Sequence, residues 1–243
     1  MLNFRLGRKT HIPILMYHQI GGNTGSGISV SIETFTNHMQ LLKNSGYHSI
    51  PLEVAAQLIE SQEQPPCKSF VITFDDGFKN IFTHAYPIMQ QFGFTATVFL
   101  VADFMGSDND WSENVEKLRS PLMGVKDIYA MPNFTFGSHT LSHRHLTYMS
   151  EAEAAKEIIS SRTKLEDKLG IPITSFCYPY GDYNKYLMRE VKEAGYSCAC
   201  STRKGNRHRF DDRFCLKRIP VTEISLKRFK YRLNPLYDWE HRE

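Results

Sequence analysis

The chain has 243 residues, 41% of them hydrophobic and 23% charged, with 29 Lys/Arg against 26 Asp/Glu. That is enough apolar material for one large core, and it excludes a disordered chain. Five scattered cysteines without a C-x-x-C pair give neither a disulfide framework nor a zinc–thiolate site, so reduced and mostly buried thiols are expected.

Residues 1–10 carry Arg5, Arg8 and Lys9 but lack the apolar run of roughly 7–15 residues that a secretory signal needs. No segment approaches the roughly 20 apolar residues of a membrane span, and a cytoplasmic location is the expectation. Residues 12–17 read as a short buried strand that ends at His18, followed by a Gly-rich loop over 21–27. Ser31 is placed to cap a helix that carries Phe35, Met39 and Leu42 on one side and stops at Gly46. The run 69–74, rich in β-branched and aromatic residues, predicts a buried strand that delivers Asp75 and Asp76, after which Gly77 lets the chain turn away. A helix over 81–91 ends at Gly93, and a nearly continuous apolar strand covers 95–101.

Farther along, Gly137-Ser138-His139 looks like another strand end. His139 and His143 are four residues apart; if that segment makes one helical turn, both imidazoles emerge on one face. Ser150 and Glu153 have the capping-box pattern before a helix with Ala155, Ile158, Ile159, Leu165 and Leu169 at helical spacing, broken at Gly170. A strand over 174–178, a helix through Leu187 and Val191 ending at Gly195, and strands near 196–201 and 214–221 close the series. From Arg203 onward 12 Lys/Arg face 6 Asp/Glu. A solvated basic face is the commoner reading of such a tail; the functional one is peripheral contact of the partly amphipathic 226–236 segment with anionic lipid at the inner membrane face. No nucleic-acid motif appears, and no nucleic-acid partner is expected.

Repeated strand and helix units with buried strands indicate a parallel sheet, whose reacting groups gather at the strands' carboxyl ends. His18, Asp75/Asp76, the His139 segment and Tyr178-Pro179-Tyr180-Gly181 would then converge on one rim. Asp76, His139 and His143 make a ligand set for one divalent cation that leaves positions open for water and substrate. Asp75, its charge not committed to the cation, is left as general base. A backbone N–H of the Pro179-Tyr180-Gly181 turn would serve a tetrahedral oxyanion. His18 suits the acid that a departing amine requires, which favours an N-acyl over an O-acyl substrate.

Thr73-Phe74-Asp75-Asp76-Gly77, Ser138-His139-Thr140-Leu141-Ser142-His143 and Tyr178-Pro179-Tyr180-Gly181 resemble, in that order, the first three motifs of the polysaccharide deacetylases of carbohydrate esterase family 4. The resemblance implies a distorted (β/α) barrel of about seven parallel strands, with Asp75 as base, Asp76, His139 and His143 on the metal, and the Tyr180 N–H at the oxyanion. It implies an N-acetylated saccharide as substrate and one divalent ion, zinc ahead of nickel, cobalt or iron. Two departures stand out. The family's arginine two places before the proline is Cys177 here, and the late Leu-x-His is absent, its neighbourhood reading Cys215-Leu216-Lys217-Arg218-Ile219. Pro13-Ile14-Leu15-Met16-Tyr17-His18 resembles the opening of the branch that deacetylates poly-β-1,6-N-acetylglucosamine, where permuted motif order supplies the acid histidine from the N-terminal end; His18 takes that role. Trp111, within Asp108-Asn109-Asp110-Trp111, is a candidate substrate contact together with Pro179 and Tyr180. The domain division expected is an N-terminal extension over 1–11, a catalytic domain over 12–221 and a basic C-terminal segment over 222–243. The alternatives are an O-acetyl esterase, a catalytically silent sugar-binding relative and a non-haem iron oxygenase.

Overall fold

Seven parallel strands pair side by side and the last joins the first, closing a ring. They are β1 (Ile14–Tyr17), β2 (Ser69–Phe74), β3 (Thr97–Leu100), β4 (Thr135–Ser138), β5 (Ser175–Cys177), β6 (Cys198–Lys204) and β7 (Leu216–Pro220). The ring is the expected (β/α) barrel, seen in a computed structural model that describes residues 9–22, 27–111 and 119–237. Most of the 1–11 extension, the middle of the 21–27 loop and the end of the 222–243 segment lie outside the described residues.

β1 sits between its two neighbours. Leu15 and Met16 register with Ile219 and Pro220 of β7 on one side, while residues 14–17 register with 71–74 of β2 on the other. All six residues of β2 and all four of β1 are buried, which explains their unbroken apolar runs: a strand covered on both faces has no reason to alternate. The distortion has two sources. β4 and β5 share a single registered pair, Ser138 with Phe176, and β6 shifts register against β7 between Cys200 and Lys204. Pro13, lacking an N–H, stands between a two-residue strand Thr10–His11 and β1, so the strand expected over 12–17 starts at Ile14.

Helices pack around the ring, all but the helix Leu52–Glu60 against one common core. α1 (Ile32–Asn44) begins where the Ser31 hydroxyl accepts from the Thr34 N–H. α2 (Leu52–Glu60) buries Leu52, Ala55, Ala56 and Ile59 in a stretch left without an element above. The helix expected over 81–91 is a π turn, Ile81–Ala85, running into α3 (Tyr86–Phe92). After the short α4 (Val125–Tyr129), α5 (Glu151–Leu169) starts on the Ser150/Glu153 capping box and stops at left-handed Gly170. α6 (Lys185–Glu193) precedes β6. The basic C-terminal segment forms α7 (Leu226–Arg232), fastened to α1 by Phe229 stacking on His38 at 3.9 Å. No helix among the described residues is long and apolar enough to cross a membrane. Cys67 is exposed, the other four cysteines are buried, and all five are free.

Candidate active site

The carboxyl end of β2 splits two adjacent aspartates. Asp75 still belongs to the ladder, its N–H donating to the Tyr17 carbonyl at 2.9 Å. Asp76 (φ 68°) and Gly77 (φ 74°) then turn left-handed, so the two carboxylates leave the chain in different directions. Glycine suits the second position because its φ is left-handed and a Cβ there would also stand 2.9 Å from Leu100 Cδ2.

The histidines reach the site by another route than the helical turn considered above. After β4 the His139 N–H donates to the Leu100 carbonyl at 2.8 Å, and the chain bends with Thr140 (φ 69°) and His143 (φ 59°) left-handed. A β-branched residue rarely adopts that conformation, so something holds the loop. Glu157 of α5 does: its carboxylate accepts from Leu141 N–H at 2.9 Å, Ser142 N–H at 3.0 Å and Ser142 Oγ at 2.6 Å. Thr140 Oγ1 accepts from the His143 N–H at 3.0 Å. Among the described residues, four of the five non-glycine residues with left-handed backbones are Asp76, Thr140, His143 and Tyr180. The strain is concentrated where the reactive side chains emerge.

Asp76, His139 and His143 come together. Asp76 Oδ1 lies 3.4 Å from His139 Nε2 and 3.2 Å from His143 Nε2, close to the roughly 3.3 Å between ligands of a tetrahedral ion bound at about 2.0–2.1 Å. All three residues are buried, and Asp76 Oδ1 has no hydrogen-bond partner of good geometry. His139 donates from Nδ1 to the Cys177 carbonyl at 2.7 Å, which fixes the ring and leaves Nε2 facing Asp76. Burial works against a proton on His139, yet Cys177, Asp76 and Asp75 outweigh it and hold the imidazole well above its ordinary value. Burial likewise opposes charge on Asp76, yet His143 and His139 keep its carboxyl well below the usual range. At His143 burial prevails and lowers the imidazole. The donor set therefore fits one divalent cation.

Arg218 is the residue that sequence reasoning missed. It stands on β7, fully buried, and grips Asp75 with two bonds, Nη1 to Oδ1 at 2.6 Å and Nη2 to Oδ2 at 2.7 Å. Burial would raise the Asp75 carboxyl, but Arg218 reverses this and leaves it below its ordinary value. Nη2 also lies 3.2 Å from Cys177 Sγ. The small side chain at the position of the absent motif arginine thus lies against a guanidinium arriving from β7, two strands along the ring. A signal existed: strand alternation through β7 points Leu216 and Arg218 inward, and an inward arginine needs a carboxylate. His18, just beyond β1, places Nε2 3.8 Å from Asp75 Oδ2, with its side chain 21% exposed.

Tyr180 sits in the turn Pro179–Gly181 at φ 59°, ψ −2°, its carbonyl accepting from Thr202 Oγ1 at 3.2 Å. Pro179 is buried, while the Tyr180 ring packs edge-on to His143 at 4.9 Å. Trp111, outside these motifs in the chain, stacks on His143 with ring centres 4.6 Å apart. The structure therefore brings His18, Asp75, Asp76, Trp111, His139, His143 and Tyr180 to one rim.

Residues 62–199, more than half of the chain, match the family model described as polysaccharide deacetylase. Among curated proteins, YxkH of Bacillus subtilis is 26% identical over 211 residues, covering 87% of this chain and 71% of YxkH. A poly-β-1,6-N-acetyl-D-glucosamine N-deacetylase of Staphylococcus aureus is 26% identical over 171 residues, covering 69% of this chain but only 59% of that protein. Among solved structures, the Streptococcus pyogenes deacetylase PplD in complex with acetate superposes with a TM-score of 0.80 at 23% identity, covering 93% of this chain and 99% of that one.

Proposed function

The chain belongs to the polysaccharide deacetylase family, and from that premise we propose that it hydrolyses N-acetyl groups of a saccharide in a metal-dependent reaction, with water as nucleophile and acetate as product. The observation that carries the reading is the buried Asp76–His139–His143 cluster beside a second carboxylate, Asp75, that is paired with Arg218. A divalent ion held by those three residues, zinc ahead of nickel, cobalt or iron, supplies Lewis acidity toward the acetyl carbonyl and toward water.

The chain's own residues supply the rest. Asp75 accepts the proton of the attacking water, and Arg218 keeps it ionised and oriented. The left-handed Tyr180 turn presents a backbone N–H for the oxyanion. As the C–N bond breaks, His18 delivers a proton to the departing nitrogen. A base and a separate acid, both within reach of one centre, favour the amide over an O-acetyl ester. The iron-oxygenase alternative loses its scaffold, since the barrel is parallel β/α and not β-rich.

Acetate release from a panel of N-acetyl and O-acetyl saccharides, with and without chelator, tests the reading. Release from N-acetyl substrates, lost on chelation and restored by added metal, is expected; Asp75→Asn is expected to abolish turnover while metal content stays the same. Chelator-insensitive release, or no release from any acetylated sugar, would defeat it.

A further inference from the structure

The rings at the cation site continue outward from it. Beyond Tyr180 lies His145, its imidazole 3.6 Å from the tyrosine ring and 9° from parallel, and beyond His145 lies Tyr148 at 5.0 Å and 28°. Tyr148 is 83% exposed and Tyr180 45%. Asp182 secures the row, its Oδ2 accepting from His145 Nδ1 at 2.7 Å. Both members of that pair are more than a third exposed, and a pair so open to water adds little to stability. An aromatic ring left mostly in water adds little to the core either.

The chemistry of the row suits a sugar. The Asp182 bond fixes the imidazole, leaving Nε2 at its opposite edge and the second Asp182 oxygen as polar atoms beside flat apolar faces. A pyranose ring offers the counterpart, C–H bonds on its faces and hydroxyls around its rim. Continuity matters too: the row begins at His143, a ligand of the cation site, so whatever lies on it adjoins the reacting unit.

We propose that Tyr148, His145 and Asp182 form a subsite for the sugar unit next to the one being deacetylated, and that these three residues set how steeply activity rises with chain length. The proposal rests on the deacetylase reading above. The apolar face of the neighbouring unit packs on Tyr148, and its hydroxyls meet Asp182 and His145. Trp111, stacked on His143, borders the reacting unit.

The test compares kcat/KM for acetate release from β-1,6- and β-1,4-linked N-acetylglucosamine oligomers of one, two and four units. It uses the metal-loaded wild type, Tyr148→Ala, His145→Ala and Asp182→Asn, with metal content measured for each. The wild type should gain about tenfold or more between one and four units, because binding remote from the bond cleaved is drawn on at the reacting centre. In each variant the gain should shrink to about threefold or less, with metal content unchanged. A gain that survives in all three variants, or a wild type indifferent to length, would overturn the proposal. So would an equal loss on short and long substrates, which would make the row a support for the Tyr180 turn alone. Acetate from none of the substrates would overturn the deacetylase reading itself.

Discussion

Replacing Arg218 by methionine removes a guanidinium whose five N–H groups all have partners. Nε donates to the Ser201 carbonyl at 2.9 Å, Nη1 to Thr73 Oγ1 and Asp75 Oδ1 at 3.0 and 2.6 Å, and Nη2 to Asp75 Oδ2 and Cys177 Sγ at 2.7 and 3.2 Å. Methionine fills much of the space but leaves the fully buried Asp75 carboxylate without its counter-charge. Breaking a buried pair on one side costs about 3–5 kcal/mol; for a chain of this size that is a Tm drop of roughly 6–20 °C. Asp75→Asn alone strands the arginine and should cost a similar amount. The double variant carries neither charge, so it should be far more stable than the sum of the two losses implies, with a coupling of about 2 kcal/mol or more. Thermal and denaturant melts of the four proteins measure this cycle directly. In acetate release, Arg218→Met should also shift the acidic limb of kcat/KM upward, because burial would then govern the Asp75 carboxyl. Losses that add within about 0.5 kcal/mol, or an acidic limb that stays in place, would show that the arginine does not hold the base.

Three further outcomes are expected. His18→Gln should slow release from an N-acetyl sugar by about 10²–10⁴-fold yet leave an aryl acetate, whose leaving group needs no proton, within about tenfold; equal losses would remove His18 from the acid role. Glu157→Ala frees two backbone N–H groups and a hydroxyl beside the histidine loop, at about 1–3 kcal/mol for each buried group left unpaired, and should weaken zinc binding measured by competition with a chelating dye; unchanged affinity would refute the clamp. Burial lowers His38 and His208 to about 4 from the ordinary 6.5, so the unfolded chain takes up the protons first. The stability they give is complete above the unfolded value and is lost as pH falls toward the folded one. Between pH 7 and pH 5 each should cost about 2 kcal/mol, visible as a falling urea midpoint that His38→Gln makes less steep; a flat profile in the wild type would contradict it.

Much of the barrel was legible because both-face burial writes itself as unbroken apolar runs, as in Phe70–Val71–Ile72. That Asp76, His139 and His143 would come together was legible by type and spacing, although the His139–His143 spacing suggested a helix. Left-handed Thr140 and His143 were not foreseeable, since the loop between them is held by Glu157, which reaches Leu141 and Ser142 from α5. Arg218 was missed for a related reason: its partner is 143 residues away in the chain, and the motif drew attention to position 177 instead. Trp111 precedes the histidines in sequence, and only the packing of Phe104 on one side and His143 on the other puts it at the rim.

The seam between β7 and β1 has a consequence for how the protein is made. The segment 62–199 already contains Asp75, Asp76, His139, His143 and Tyr180, while His18 follows the first stave and Arg218 rides on the last. A nascent chain that stops before residue 218 therefore carries Asp76, His139 and His143 but lacks the arginine that pairs with Asp75. On the reading proposed above, hydrolytic competence waits for the final stave.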